Sequence, residues 1–365
     1  MKIDAAVLQN FVRDIFVGAG CSREESGRIA KYLVAANLSG HDSHGVTRVP
    51  RYVRSKLDGT VHADRIVDVL VDTPVLAVVD GKAGYGQTVT PQAVEIGIAK
   101  CKAVGLSAIA LRNAGHLGRV GDWAEMAAEA GLISIHFVNA SGSILVAPYG
   151  GTERRLSTAP YCVGIPRPDD TPVILDFATS VVAEGKVLVA SQGGKPLPPD
   201  ALIGPDGQMS TDPHQLYGAY EPAGPRNARL GKGAIRAFGD HKGSGLALIC
   251  ELLGGSLTGT GATKPAPHMY NGMFSIYIDP RRFDPGHFFS EDMTRYIAFL
   301  KGAKPVAPGG EILIPGEPET RTRAERTKNG VPLPKDTWLA LVACAREVGV
   351  VPPNAAAAEP QAAKR

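Results

Sequence analysis

At the start of the chain apolar residues recur every three to four positions, and residues 4–18 and 22–38 read as amphipathic helices. In the second, Ile29, Leu33 and Val34, with Ala36, form the apolar stripe. The first ends in Gly18-Ala19-Gly20 and the second at Gly40, both suited to C-terminal capping. A further helix is predicted over 44–57, started or kinked by Pro50. Near residue 74 the pattern changes. "PVLAVVDG" is a short apolar run ended by a turn, hence a strand. Strands are also predicted at 106–113, 132–139, 172–178 and 273–279. Helices are predicted at 90–103, 121–130, 244–257, 289–301 and 335–348. The middle of the chain thus alternates strand and helix, flanked by helices from both ends. Residues 191–235, rich in Gly, Pro and Asp, read as a long irregular excursion, and the tail "PPNAAAAEPQAAKR" as disordered.

Composition removes several function classes. The 365 residues are 44% hydrophobic, enough for a sizeable core in one large domain or two smaller ones. Net charge is +3 and Lys and Arg form no long block, which argues against nucleic-acid or membrane-surface binding. The five cysteines are far apart and lack C-x-x-C spacing, which favours a reducing compartment over a disulfide framework or a thiolate zinc site. Asp4, Arg13 and Asp14 interrupt the apolar N-terminus, unlike a secretory segment, and no apolar run is long enough to span a membrane. A cytoplasmic soluble protein is expected.

The densest chemistry lies in "SGHDSHGVTRVPRYVRSK", residues 39–56. His41, Asp42, Ser43 and His44 allow a metal site, an acid/base site or an ordinary polar helix start. A catalytic metal needs a further ligand, and no second cluster at ligand spacing is evident. With 44–48 helical, His44 and Arg48 become neighbours on one face. A proton donor beside a guanidinium suits a 2-oxo or 2-hydroxy acid, because Arg grips the carboxylate and His serves the adjacent oxygen. Arg51 and Arg54 then read as surface charges.

Four other stretches bear on function. In "NAGHLGRVGDWAE", Gly115, Gly118 and Gly121 surround His116 at a predicted strand end, where α/β sheets place ligands. Asp176 ends the apolar strand of "ILDFATSVVAEGKV", where a carboxylate needs a partner; a histidine held protonated is one. Thr179 and Ser180 read as caps. "FGDHKGSGLALICELLGG" opens an apolar helix with Lys242, Gly243, Ser244 and Gly245, either a phosphate cradle or a Gly-rich cap. "LIPGEPETRTRAER" reads as a charged Pro/Gly loop. No G-x-G-x-x-G, Walker A or G-x-S-x-G motif occurs.

Together and in this order, these stretches resemble the malate/L-lactate dehydrogenase family of non-Rossmann type over about residues 4 to 350. "GHDSHGVTRVPRYV" and "LDFATSVVAEGKV" are the specific segments, accompanied by "HKGSGLAL" and "IPGEPE". The family includes ureidoglycolate, sulfolactate and 2,3-diketogulonate oxidoreductases and Δ1-piperideine-2-carboxylate reductases. The resemblance implies an α+β fold: a non-Rossmann cofactor domain with a mixed sheet (74–284) and a helical domain from both chain ends (1–73 with about 285–350). It also implies a homodimer and NADH or NADPH as hydride carrier. His44 and His116 match the proton donors assigned in different members, with Asp176 matching a cofactor contact or a group orienting His44. Ser43, His44 and Arg48 match the substrate pocket. Ser141, Asp176, Phe177, Ala178, His241, Lys242, Pro315, Gly316 and Glu317 match cofactor-binding positions, although His241 replaces an aromatic residue found in some relatives. The implied activity is hydride transfer between the nicotinamide and a small 2-hydroxy or 2-oxo acid, or a cyclic imino acid. A metal-dependent hydrolase using His41, Asp42 and His44 is the remote rival.

Overall fold

The computed structural model describes residues 1–168, 170–191, 193, 195–221, 226–286 and 288–353. Residues 354–365 of the expected disordered tail lie outside the described residues. The first helix, Ala5–Gly18, starts where the Asp4 carboxylate accepts the amides of Ala6 and Val7. Leu8, Phe11, Val12, Ile15 and Phe16 give it a buried stripe at helical spacing. Ser22 caps the second, Arg23–Leu38, by accepting from Glu25 N–H. The C-terminal helix Lys335–Glu347 packs its Trp338, Leu341 and Ala345 into the same apolar cluster as Phe11, Ile29, Leu33 and Val53. Both ends of the chain therefore share one core.

A seven-stranded sheet organises the middle. Its order is Asp68–Asp72, Leu76–Asp80, Leu106–Ala114, Tyr270–Ile278, Ile133–Ser141, Pro160–Ile165 and Val173–Ala178. Leu76–Asp80 and Leu106–Ala114 pair in parallel, and the other neighbours described pair antiparallel, so the sheet is mixed. Helices Gly86–Val104 and Gly121–Glu129 cover it, with Trp123, Val89, Val94, Ile109 and Tyr277 in a second apolar cluster. A smaller sheet of four short strands, Val146–Ala147, Leu202–Ile203, Met209–Ser210 and Ala234–Arg236, lies within the excursion and its approach.

Several elements depart from expectation. Residues 42–57 are two 3-10 turns, Asp42–His44 and Val46–Arg48, followed by the helix Val49–Leu57, because Gly45 is extended between them. Helix 90–103 begins earlier, at Gly86. The segment read as a charged loop contains the helix Glu317–Asn329. The helix opening at His241 passes into a π-helical turn at Glu251–Leu257, where buried Glu251 accepts from Ser157 Oγ (2.6 Å) and Thr263 N–H (2.8 Å).

Candidate active site

The turn carrying His44 is held from below. Buried Asn37 accepts the Val46 amide at 2.8 Å and donates to Asp42 at 2.6 Å. Arg326 of the helix Glu317–Asn329 grips both Asp42 carboxylate oxygens, at 2.7 and 3.1 Å, and His41 Nε2 meets Glu319 at 3.1 Å. Gly45 must lack a side chain, since a Cβ there would stand 2.1 Å from Asn37 Oδ1. Gly45→Ala is expected to cost about 1–3 kcal/mol by overpacking and to displace the His44 turn. Urea denaturation and turnover check this; a loss under about 0.5 kcal/mol would show that Asn37 moves aside freely.

His44 and Arg48 are thus neighbours through consecutive 3-10 turns rather than along one α-helix. Arg48 Nε donates to the Ser43 carbonyl at 2.6 Å, and Ser43 Oγ lies 3.0 Å from His44 Nδ1. His116 follows the strand Leu106–Ala114, and its ring stacks on that of His44 with centroids 5.6 Å apart and planes 19° apart. Tyr52 OH sits 2.6 Å from His116 Nδ1. Burial and then the Arg48 charge push His44 down to about 3 and hold His116 well below an ordinary imidazole. Both rings are therefore neutral at neutral pH.

Asp176 has partners other than the expected histidine. It accepts the Gly121 amide at 2.7 Å, at the N-terminus of the helix Gly121–Glu129, and makes no hydrogen bond to a histidine among the described residues. Burial raises its pKa and the neighbouring Arg119 opposes the rise. Arg119 is in turn paired with Asp122 (2.8 Å) and Glu125 (2.9 Å).

A cleft of about 1140 Å³ gathers Ser43, His44, Arg48, His116, Asp176, Phe177 and Ala178 on its walls. Ser141, His241, Lys242, Pro315, Gly316 and Glu317 are not in its lining. Ser141 Oγ donates to the Tyr270 carbonyl, and exposed His241 packs edge-on to Tyr149 in the first turn of its helix. Pro315 accepts from Ile174 N–H at 3.2 Å and Glu317 pairs with Lys301, so this loop flanks the start of the strand that ends in Asp176–Ala178.

The sequence reading missed part of the cleft. Arg51, read as a surface charge, is exposed and opens onto this cleft, and among the described residues it makes no hydrogen bond or ion pair. Arg54 does stand outside, paired with Glu347. Lys186, Arg226 and Arg229 add further cations, against Glu184 and Asp176. The i, i+3 spacing of Arg48 and Arg51 was the available signal for Arg51; Lys186 lies within the "LDFATSVVAEGKV" segment without having been singled out, and nothing local marked Arg226 or Arg229. His41, Asp42 and His44 each turn to a different partner. Among the described residues no group of three or more His, Cys, Asp or Glu could hold a metal ion, so the hydrolase reading is not favoured.

Comparison with known proteins identifies the family of the chain. The family model described as malate/L-lactate dehydrogenase matches residues 3–342. Hydroxycarboxylate dehydrogenase B of Escherichia coli is 38% identical over 96% of this chain and 95% of its own. Malate dehydrogenase of Pyrococcus horikoshii superposes with a TM-score of 0.82 at 30% identity, covering 97% of each chain. Sulfolactate dehydrogenase of Methanocaldococcus jannaschii gives 0.82 at 30%, covering 96% of this chain and 98% of that one. The protein is an oxidoreductase, and the chain belongs to the malate/L-lactate dehydrogenase family.

Proposed function

We propose that the protein is an NADH- or NADPH-dependent dehydrogenase that interconverts a small 2-hydroxy acid and its 2-oxo acid. The observation that carries this reading is the juxtaposition of Arg48 with two stacked neutral imidazoles, His44 and His116, on one wall of a cationic cleft. Arg48 offers the acid's carboxylate a charge-assisted, two-pronged grip. His44 holds the proton of the C2 oxygen. With Nδ1 engaged by Ser43, its Nε2 is the nitrogen left to do so. In oxidation the neutral ring takes the hydroxyl proton. In reduction it must first gain one, which the bound carboxylate favours by offsetting the Arg48 charge.

When bound, a nicotinamide supplies the hydride to C2 or accepts it. The cleft fits such a cofactor as well as the acid, since it exceeds the roughly 300–1,000 Å³ that takes one drug-sized ligand. Lys186 and Arg229 would meet its phosphates, and Phe177 and Ala178 would give its ring an apolar wall. A mixed sheet, in which among the described residues one neighbouring pair is parallel, supports a cofactor domain unlike the doubly wound dinucleotide fold. The shared core of the two chain ends supports a separate helical domain, with its boundary before Asp68, whose strand joins the sheet. Exposed Phe288, Tyr296 and Phe299 on the helix Phe288–Lys301 support a homodimer, and five buried free cysteines support a reducing, cytoplasmic setting.

The test is a panel of 2-oxo, 2-hydroxy and cyclic imino acids with both nucleotides, followed at the reduced-nicotinamide absorbance. The cyclic imino acids belong in it because a Δ1-pyrroline-2-carboxylate reductase is a 32% identical relative. The sign of the His44 shift adds a second check. Its folded pKa lies below the ordinary 6.5, so the free enzyme holds the base form through neutral pH. Accordingly, kcat/KM for oxidation should stay flat between about pH 5 and about pH 8, and kcat/KM for reduction should rise about tenfold for each unit the pH falls across that range. An oxidation profile that bends at 6.5 would mean that His44 titrates as an ordinary imidazole.

A further inference from the structure

The back of the His116 ring faces a buried polar chain. Tyr52 OH lies 2.6 Å from Nδ1, and Gln87 Nε2 donates to the same phenolic oxygen at 3.2 Å. The Tyr52 hydroxyl has a single proton and two acceptors within reach: Nδ1 at 2.6 Å and the His116 carbonyl at 3.4 Å. The nearer one, which is also the stronger base, takes it. An Nδ1 that accepts leaves the imidazole proton on Nε2, the other ring nitrogen. We propose that Tyr52 is a positioning residue that fixes His116 as a neutral imidazole with its proton on Nε2, so that His116 polarises the C2 oxygen as a hydrogen-bond donor while His44 moves the proton.

Four further observations support this division of labour, which rests on the dehydrogenase reading of the cleft. The chain behind Tyr52 ends in the core, where Gln87 Oε1 has no partner among the described residues, so it offers no route for a second proton to reach Nδ1. The phenol stays protonated, because burial pushes Tyr52 up to about 12. The charged and titratable groups acting on His116 are Arg48, His44 and Arg51, all disfavouring an imidazolium, with no carboxylate among them. The backbone is pinned as well. Tyr85 OH donates to the Tyr52 carbonyl at 3.1 Å, and Gly86 packs so closely that a Cβ would stand 2.2 Å from the His116 carbonyl oxygen. His44, by contrast, is backed by Ser43 on the cleft wall, where solvent and substrate can reach it. A neutral imidazole in a fixed tautomer is an effective polariser of a carbonyl, since the donor is in place before charge develops.

Nitrogen-15 NMR of the uniformly labelled full-length protein tests the assignment without relying on turnover. The His116 signals are identified by their loss in His116→Gln. In the wild type we expect a protonated Nε2 and an unprotonated Nδ1 from about pH 6 to about pH 9. Tyr52→Phe keeps the ring and removes the hydroxyl. It is expected to mix the two tautomers and to lower kcat about tenfold, the size of one oriented hydrogen bond, with KM for the 2-oxo acid little changed. An Nδ1-protonated ring or an imidazolium in the wild type would overturn the proposal, as would a Tyr52→Phe protein with unaltered signals and turnover. The wild-type spectrum decides even if the variant fails to fold. The predicted tautomer in a protein without dehydrogenase turnover would reject the functional reading while keeping the role of Tyr52 in setting the ring.

Discussion

Replacing His44 by Gln is expected to lower kcat by about 10²–10⁴-fold in both directions, the range of one general acid–base group. The dissociation constant for the reduced nucleotide should be unchanged. His44 stands on a turn tied down by Asn37, Asp42 and Arg326, and its imidazole is hydrogen-bonded to none of them. The polar partner of its imidazole is Ser43 Oγ, so loss of the ring removes a proton carrier and leaves the framework. Steady-state rates and nucleotide fluorescence titration separate the two effects. Loss of both turnover and nucleotide binding would assign His44 a structural role.

Arg48→Met should act mainly on capture of the acid. Two charge-assisted hydrogen bonds are worth enough to raise KM for the 2-oxo acid by about 10²–10³-fold. Because Arg48 Nε also holds the Ser43 carbonyl at 2.6 Å, Arg48→Lys is the necessary companion. Lysine keeps the charge but not the planar fork, so its KM should fall between those of wild type and Arg48→Met. Unchanged KM for every acid tested in Arg48→Met would remove Arg48 as the carboxylate clamp. Arg51 stands next to it without a hydrogen bond or ion pair among the described residues, and can supply part of the lost attraction.

Elements whose own residues carry an apolar period were legible in the sequence. The strands Leu106–Ala114 and Ile133–Ser141 and the helix Arg23–Leu38 fall within a few residues of where the pattern puts them. Elements set by tertiary contacts were not. The helix Glu317–Asn329 has no buried residue. Arg323, reaching Ser39 and Glu125, and Arg326, reaching Asp42, hold it to the rest of the molecule. The strand Pro160–Ile165 begins with a proline and is interrupted by Gly164, so its apolar alternation is hidden.

The candidate site divides in the same way. His44 and Arg48 were visible because they are close in sequence, although the α-helical premise was mistaken and Gly45 breaks the segment into two turns. The stacking of His44 on His116 and the Tyr52 contact, 64 positions apart in the chain, could not be read from spacing. Asp176 was singled out correctly as a carboxylate needing a partner, but that partner is a helix N-terminal amide backed by Arg119.

If this cleft moves hydride to C2 of a 2-oxo acid, deuterium placed on the nicotinamide must follow it. The enzyme is incubated with nicotinamide nucleotide deuterated at C4 on either face and a 2-oxo acid from the panel, and the product is analysed by mass spectrometry. One face should deliver deuterium to C2 of the 2-hydroxy acid, at a rate that collapses in His44→Gln. Product without deuterium at C2 from either face, or no product from any acid of the panel with either nucleotide, would rule out this hydride transfer.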